Sequence, residues 1–317
     1  MTNKEKYINF CKIEKMIPIF SQPWWLDAVC DNGEWDAAIV EKGGQIWATM
    51  PYYIRKHYGF TQITMPKLTQ TLGPYIKYPE NQKYYKKLSW EKELMNDLID
   101  QLPSYDYFMQ NWHYAISNWL PFYWKGFIQT TRYTYIIRCE NQEQLNDEQY
   151  ETDIRRRKKK AEREGIIVCE ENNLKALYNL IHATFERKNM DIPISISFIE
   201  RIYKACAENN ACRILFAKDK NGDYIAASML IFDSQEVYYL LGGIDASKKD
   251  LGAMDLIQHE SIKFAFSKGK HFNFEGSMVE SIEKYFRSFG AVQMPYFNIS
   301  RTPSRILQVY RFLRTFL

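Results

Sequence analysis

Short stretches of alternating apolar and polar residues recur along this chain, separated by stretches with the 3.6-residue period of amphipathic helices. Trp35 to Val40 and Ile46 to Ile54 alternate on either side of Lys42-Gly43-Gly44-Gln45, which predicts a β-hairpin. Phe20-Ser21-Gln22-Pro23-Trp24-Trp25 predicts a capped start to an aromatic-rich helix. Pro66 to Tyr78 is extended and broken by Gly73-Pro74. Leu94, Leu98 and Leu102 fall in line and predict a helix over Ser89 to Leu102. Strands are expected at Tyr105 to Trp112 and Phe127 to Arg138, with a short helix at Ser117 to Trp124 interrupted by Pro121. Gln142 to Tyr150 is polar and reads as a linker.

The second half follows a similar plan. A charged helix over Asp153 to Glu164 ends at Gly165 before a strand, Ile166 to Cys169. Leu174 to Lys188 and Ile196 to Asn209 are amphipathic helices. Arg213 to Lys218 and Tyr224 to Phe232 form a hairpin around Lys220-Asn221-Gly222-Asp223, and Val237 to Gly242 adds a strand. A Lys-rich turn leads into a helix, Ala253 to Lys268. The stretch His271 to Ala291 then combines a short strand ending at Glu275-Gly276-Ser277 with a helix whose Ile282, Tyr285, Phe286 and Phe289 share a face, closed by Gly290. A last strand is expected at Val292 to Ile299.

An offset of 164 positions places Asn111 on Glu275, Phe122 on Phe286, Gly126 on Gly290 and Gln129 on Gln293. The repeated element order predicts two similar α/β domains, residues 1–145 and 146–317, each a mixed β-sheet flanked by helices, with a ligand cleft between them. In the first domain Asn111 stands where the second has a carboxylate, so binding rather than catalysis is expected there.

Composition narrows the class. A chain of 317 residues can build two cores, and 16% aromatic content with 23 tyrosines can also line a groove with rings. Six cysteines without a CxxC spacing read as reduced thiols of a cytoplasmic protein. The start of the chain lacks the apolar run of a signal peptide, and no apolar run is long enough to cross a bilayer. His182 and His259 have no second ligand at a metal spacing, so no metal is expected. Ser277 reads either as a helix N-cap or as part of a site with Glu275, and no histidine nearby in sequence supports it as a nucleophile.

Tyr239-Leu240-Leu241-Gly242-Gly243, Leu251-Gly252-Ala253, Phe272-Asn273-Phe274-Glu275-Gly276-Ser277 and Tyr285-Phe286 with Phe289-Gly290-Ala291 together resemble the GNAT acyltransferase fold. The likeness is greatest to its tandem form in FemAB-like aminoacyl transferases and BioF2-like acetyltransferases, and it spans most of residues 150–300. FemAB-like enzymes move an aminoacyl group from tRNA to an amine of a peptidoglycan precursor. The wider GNAT superfamily takes acyl groups from coenzyme A. The resemblance implies a cytoplasmic N-acyltransferase, at the inner membrane surface if its amine is lipid-linked, with no tightly bound cofactor. Its co-substrate would be aminoacyl-tRNA or, alternatively, acyl-CoA, and its acceptor a small or lipid-linked amine. A non-catalytic binding protein on the same fold is the third reading.

On this resemblance Glu275, with Ser277, would help remove the amine's proton, and backbone N–H groups at Leu241, Gly242 and Gly243 would meet the acyl oxygen. Donor contacts would come from Lys248, Lys249, Gly252 and Ala253 in the turn that other GNAT enzymes use for pyrophosphate. That turn departs from the [Q/R]-x-x-G-x-[G/A] pattern: Lys249 opens it, Asp250 adds negative charge and Met254 closes it. A tyrosine that many GNAT enzymes use to protonate the leaving thiolate is here Phe286, with Tyr285 beside it. Both departures favour aminoacyl-tRNA over acyl-CoA. Arg155, Arg156, Lys159 and Lys160, with Asn273 and Tyr285, are candidates for phosphate or substrate contacts; the basic run reads equally as a solvated helix face. The segment 305–317 sets Ile306, Val309, Tyr310, Leu313 and Leu317 on one stripe, either packed on its own domain or lying on an anionic membrane surface.

Overall fold

The computed structural model describes residues 1–140, 145–186, 190–276 and 278–313. It sorts into two compact units, Met1–Arg132 with Pro295–Leu317, and Tyr133–Met294. Of the polar segment 142–150, residues 145–150 lie within the second unit and residues 142–144 are outside the described residues; Asp147–Gln149 form a 3₁₀ turn.

The first unit opens with α1 (Asn3–Ile13) and α2 (Pro23–Val29). Next come β1 (Glu34–Lys42), β2 (Gln45–His57), β3 (Phe60–Thr64) and β4 (Tyr75–Ile76). The helix α3 (Tyr84–Asp100), β5 (Tyr107–Asn111) and α4 (Leu120–Trp124) follow, then β6 (Ile128–Ile137). Pro121 sits in the first turn of α4, where its missing N–H leaves no gap in the ladder, so it starts this helix rather than interrupting it. α1 and β3 are elements that the periodicity did not mark. α1 buries only Tyr7, Phe10 and Cys11, and a capping box between Thr2 and Glu5 fixes its start. The sheet runs β1-β2-β3-β5, antiparallel except for the parallel pair β3 and β5. Its core gathers Leu94 and Leu98 of α3 against Met50, Phe108, Trp112 and Phe122.

The second unit contains α5 (Thr152–Arg163), β7 (Ile167–Glu170), α6 (Leu174–Glu186) and α7 (Ile196–Glu208). It continues with β8 (Cys212–Lys218), β9 (Tyr224–Phe232), β10 (Glu236–Ile244) and α8 (Ala253–Ser267). β11 (His271–Asn273) and α9 (Glu280–Arg287) complete it; β12 (Val292–Arg301), from Pro295 onward, and α10 (Arg305–Leu313) belong to the first unit. The sheet of the second unit runs β6-β11-β10-β9-β8-β7, with β10 and β11 the parallel pair.

Each unit takes a strand from the other half of the chain. Residues of β6 from Tyr133 onward pair with β11, whereas β12 pairs with β5 through Asn298↔Asn111 to Arg301↔Phe108. The 164-residue offset carries the span of β6 onto that of β12. Gly126 and Gly290, which precede these two strands, both hold left-handed φ, at 82° and 76°. Phe122 and Phe286, at matching places, are both buried. The fold class expected from the sequence, mixed sheets flanked by helices in a tandem arrangement, is the one observed.

Candidate active site

β10 and β11 pair over three residues only, Glu236↔His271, Val237↔Phe272 and Tyr238↔Asn273. Beyond that point β10 stays with β9, with a bulge between Tyr239 and Leu241. The chain after β11 stays with β6: the Phe274 N–H donates to the Tyr135 carbonyl at 2.9 Å. Gly276 lies so close to β6 that a Cβ there would meet the Tyr133 carbonyl oxygen at 2.1 Å. The two parallel strands thus part at their carboxyl ends, the place where open α/β sheets offer a crevice to ligands.

Glu275 follows β11 at this fork. Its φ is +61°, a left-handed conformation uncommon outside glycine and of order 1–3 kcal/mol unfavourable. Asn273 holds it there. The Asn273 Oδ1 accepts from the Glu275 N–H at 2.8 Å and from the Thr134 hydroxyl at 2.6 Å, and its Nδ2 donates to Glu236 Oε2 at 2.7 Å. Asn273 is 2% exposed, so the substrate contact expected of it gives way to a positioning role: its amide is fully engaged inside the fold. The Glu275 Oε1 is buried and has no hydrogen-bond partner among the described residues. Burial pushes this carboxyl well above its ordinary pKa. Ser277, expected beside it, lies outside the described residues; α9 starts instead at Val279, which supplies no side-chain cap.

Aromatic rings fill this part of the second unit. Phe274 stacks on Phe286 at 4.8 Å, Tyr239 meets Phe286 edge-on, and Tyr285 meets Phe289 edge-on. The Tyr239 hydroxyl lies over Gly242, where a Cβ would meet it at 2.0 Å. Burial pushes the Tyr239 phenol up to about 12, so it remains a proton donor through the neutral range. The Tyr285 hydroxyl is buried, and burial, followed by the charge of Asp255, raises its pKa. Gly243 has a packing role: a Cβ there would meet the α6 backbone at Leu180 and Ile181 within 2.4 Å. Leu241 and Gly242 are half-buried on β10 beyond its last pairing with β11.

The turn before α8 is tied to α5. Gly252 caps α8 at φ +78°, and a Cβ there would meet the Arg157 carbonyl oxygen at 2.2 Å. Arg157 donates to the buried Asp255 in the first turn of α8, Nε to Oδ2 at 2.8 Å and Nη2 to Oδ1 at 3.2 Å. Lys160 donates to the Asp250 carbonyl at 2.9 Å, and Lys248 pairs with Asp219 at 2.7 Å. Lys249 is exposed and Ala253 buried. The helix end expected to receive pyrophosphate therefore already holds a carboxylate paired with arginine. Arg157 and Asp255 are the pair that sequence reasoning missed; an arginine in a basic run and an aspartate two positions past Ala253 carry no spacing that links them.

The basic run divides by helix face. Lys158 is buried against Asp147, and Arg157 and Lys160 are engaged as described. Arg155, Arg156, Lys159 and Arg163 line a groove of about 700 Å³. No group of three or more His, Cys, Asp or Glu side chains among the described residues is placed to hold a metal ion.

Residues 149–277 match the family model of the acetyltransferase (GNAT) domain. The chain is similar in fold to FemX, with a TM-score of 0.68 at 15% identity over 94% of this chain and 96% of that one. It is also similar to L-PGS from Bacillus licheniformis, with a TM-score of 0.57 at 14% identity over 98% and 95% of the two chains. The C-terminal domain of a putative lysylphosphatidylglycerol synthetase from Agrobacterium fabrum gives 0.57 at 13% identity over 94% and 92%. At these identities the likeness is one of fold. Among curated proteins none matches the sequence. The GNAT-like fold expected from the residues is thereby shown, and it is the fold that this chain shares with FemX.

Proposed function

We propose that this tandem GNAT-fold chain is an N-acyltransferase that moves an aminoacyl group from aminoacyl-tRNA to an amine of a cell-envelope precursor. The observation that carries this reading is Glu275, a buried carboxyl with an unpartnered oxygen, held by Asn273 where β10 and β11 part. An amine with a pKa of about 10 arrives protonated and must lose a proton before it can attack. In its ionised form Glu275 accepts that proton, and burial, which raises its pKa, makes it a stronger base than an ordinary carboxylate. The nitrogen then bonds to the acyl carbon, the ester C–O bond to the ribose breaks, and the ribose oxygen takes a proton from Tyr239 or water, which is replaced by the second proton the nitrogen releases on becoming an amide. Tyr239 suits this role because its phenol stays protonated at neutral pH.

The donor assignment rests on the turn before α8. Backbone N–H groups at a helix start attract phosphate, but the Asp255 carboxylate with its Arg157 partner stands in that first turn, where it opposes a second anion. The solvent-facing cations of α5 suit a polyphosphate backbone outside this turn. The name of the similar structure from Agrobacterium fabrum, a putative lysylphosphatidylglycerol synthetase, is in keeping with aminoacyl transfer. The match to an acetyltransferase domain favours a second reading, N-acetylation of a sugar or small amine from acetyl-CoA.

Thermal unfolding separates the two donors. Saturating aminoacyl-tRNA at 100 times its Kd is expected to stabilise the protein by about 2.7 kcal/mol, while acetyl-CoA leaves the transition in place. Transfer of labelled amino acid to an amine acceptor completes the test; protection by acetyl-CoA with none by tRNA would establish the second reading instead.

Changing Arg155, Arg156 and Lys159 together to Gln is expected to weaken tRNA binding and to reduce the slope of log affinity against log salt by about 2. Filter binding across a salt series measures both. An unchanged slope would leave these side chains as a solvated helix face only.

A further inference from the structure

The helix α10 uses little of its apolar surface inside its own unit. At 100° per residue, Val309, Leu313, Ile306, Tyr310 and Leu307 follow one another in a single apolar arc, with Phe312 on the far side of Arg305. Only Leu307, at one end of the arc, is buried. Arg311, next round the helix, lies 4.2 Å over the ring of Tyr107 at the border of the face turned toward the unit, and is itself exposed. The rest of the arc is largely exposed: Ile306 is 71% exposed, Val309 59%, Tyr310 53% and Leu313 56%. Tyr58, on the turn between β2 and β3, is 88% exposed and joins Tyr310 and Phe312 in lining a groove of about 950 Å³. Large apolar side chains left in water in this way mark an interaction surface.

Charge indicates the partner. Between residues 305 and 313 the helix carries Arg305 and Arg311 and no carboxylate, and the neighbouring strand end adds exposed Lys56. Nine residues are too few to cross a bilayer, and no described helix is long and apolar enough to do so. An apolar arc flanked by arginines with a tyrosine beside them has the makeup of a helix lying in the headgroup region, with its cations among lipid phosphates. We infer that α10 and the β2–β3 turn form a docking surface for an anionic lipid layer, which holds the protein at a membrane face. This inference shares no residue with the acyl-transfer site and stands or falls separately from it.

Co-sedimentation of the full chain with vesicles tests it. Binding is expected to phosphatidylcholine vesicles containing phosphatidylglycerol, weakly to phosphatidylcholine alone, and less as salt rises. The pair Ile306→Asp with Leu313→Asp, both at exposed positions, is expected to lower partitioning by about tenfold or more while leaving the circular dichroism spectrum unchanged. Arg305→Gln with Arg311→Gln is expected to remove most of the preference for phosphatidylglycerol. The inference is overturned if the chain binds neither vesicle, or if it binds both equally with no effect of salt. It is also overturned if the Asp pair instead dissolves a dimer seen in solution, which would make this face a contact between copies of the chain.

Discussion

Replacing Glu275 with Gln is expected to slow acyl transfer by about 10²–10⁴-fold and at the same time to stabilise the fold at neutral pH. The rate falls because the amide keeps the shape of the side chain but cannot accept the proton of the incoming amine. The gain in stability follows from burial. The folded carboxyl titrates well above its ordinary value, so the folded state holds a proton that the unfolded chain has already released. Stability from this group is therefore complete below the unfolded pKa of about 4.3 and is lost as pH rises through the folded value. Glutamine never ionises and escapes that loss. Urea titrations should show a higher midpoint for the variant near pH 8, with the difference closing toward pH 4. The parent's rate should rise with pH through a limb lying above the ordinary carboxylate range. Equal turnover by parent and variant would remove Glu275 from the chemistry.

The second large effect is expected at Asn273. Its side chain serves three partners, the Thr134 hydroxyl, the Glu275 N–H and the Glu236 carboxylate, with almost no exposure to water. Asn273→Ala deletes all three hydrogen bonds and leaves polar groups buried beside a small cavity. A loss of about 3–5 kcal/mol is expected, in the range seen when a buried charged group loses its partner. The same change frees the amide that keeps Glu275 in its left-handed conformation. kcat should therefore fall even at temperatures where the variant remains fully folded, and KM should move less. Asn273→Asp separates the two contributions. It retains an acceptor for the Glu275 N–H but brings a second carboxylate against Glu236, so its instability should ease as pH is lowered. A variant with parental stability and kcat would show that Glu275 is held by other means.

Much of this was legible in the residues. The hairpins stand out because alternation and Gly-containing turns are local signals, and the 164-residue offset carries β6 onto β12 because the two strands follow matching helix ends at Gly126 and Gly290. The short helix α1 escaped notice because three buried side chains among polar neighbours leave little periodicity, although Thr2 and Glu5 had the spacing of a capping box. Glu275 could be singled out as a carboxylate at a strand end. That Asn273, two residues earlier, is its buried support could not be, since its partners Thr134 and Glu236 come from distant strands. The same limit hid Arg157. In sequence it is one cation of six in a row, and only the fold pairs it with Asp255.

The exchange of closing strands has a consequence for how the chain reaches this state. Asn298 donates to Asn111 across a separation of 187 residues, so the sheet of the first unit is finished by a segment made long after its other strands. Until then the edge of β5 awaits its partner, and an unpaired edge is where chains associate wrongly. Contacts so remote in sequence slow folding, because a long loop must close before any hydrogen bond rewards it. On the ribosome the first half would therefore emerge as an unfinished intermediate. It would reach its native pairing only after β12 has been made, with a lag visible as a slow phase in refolding and a dependence on chaperones that a self-contained first half would not have.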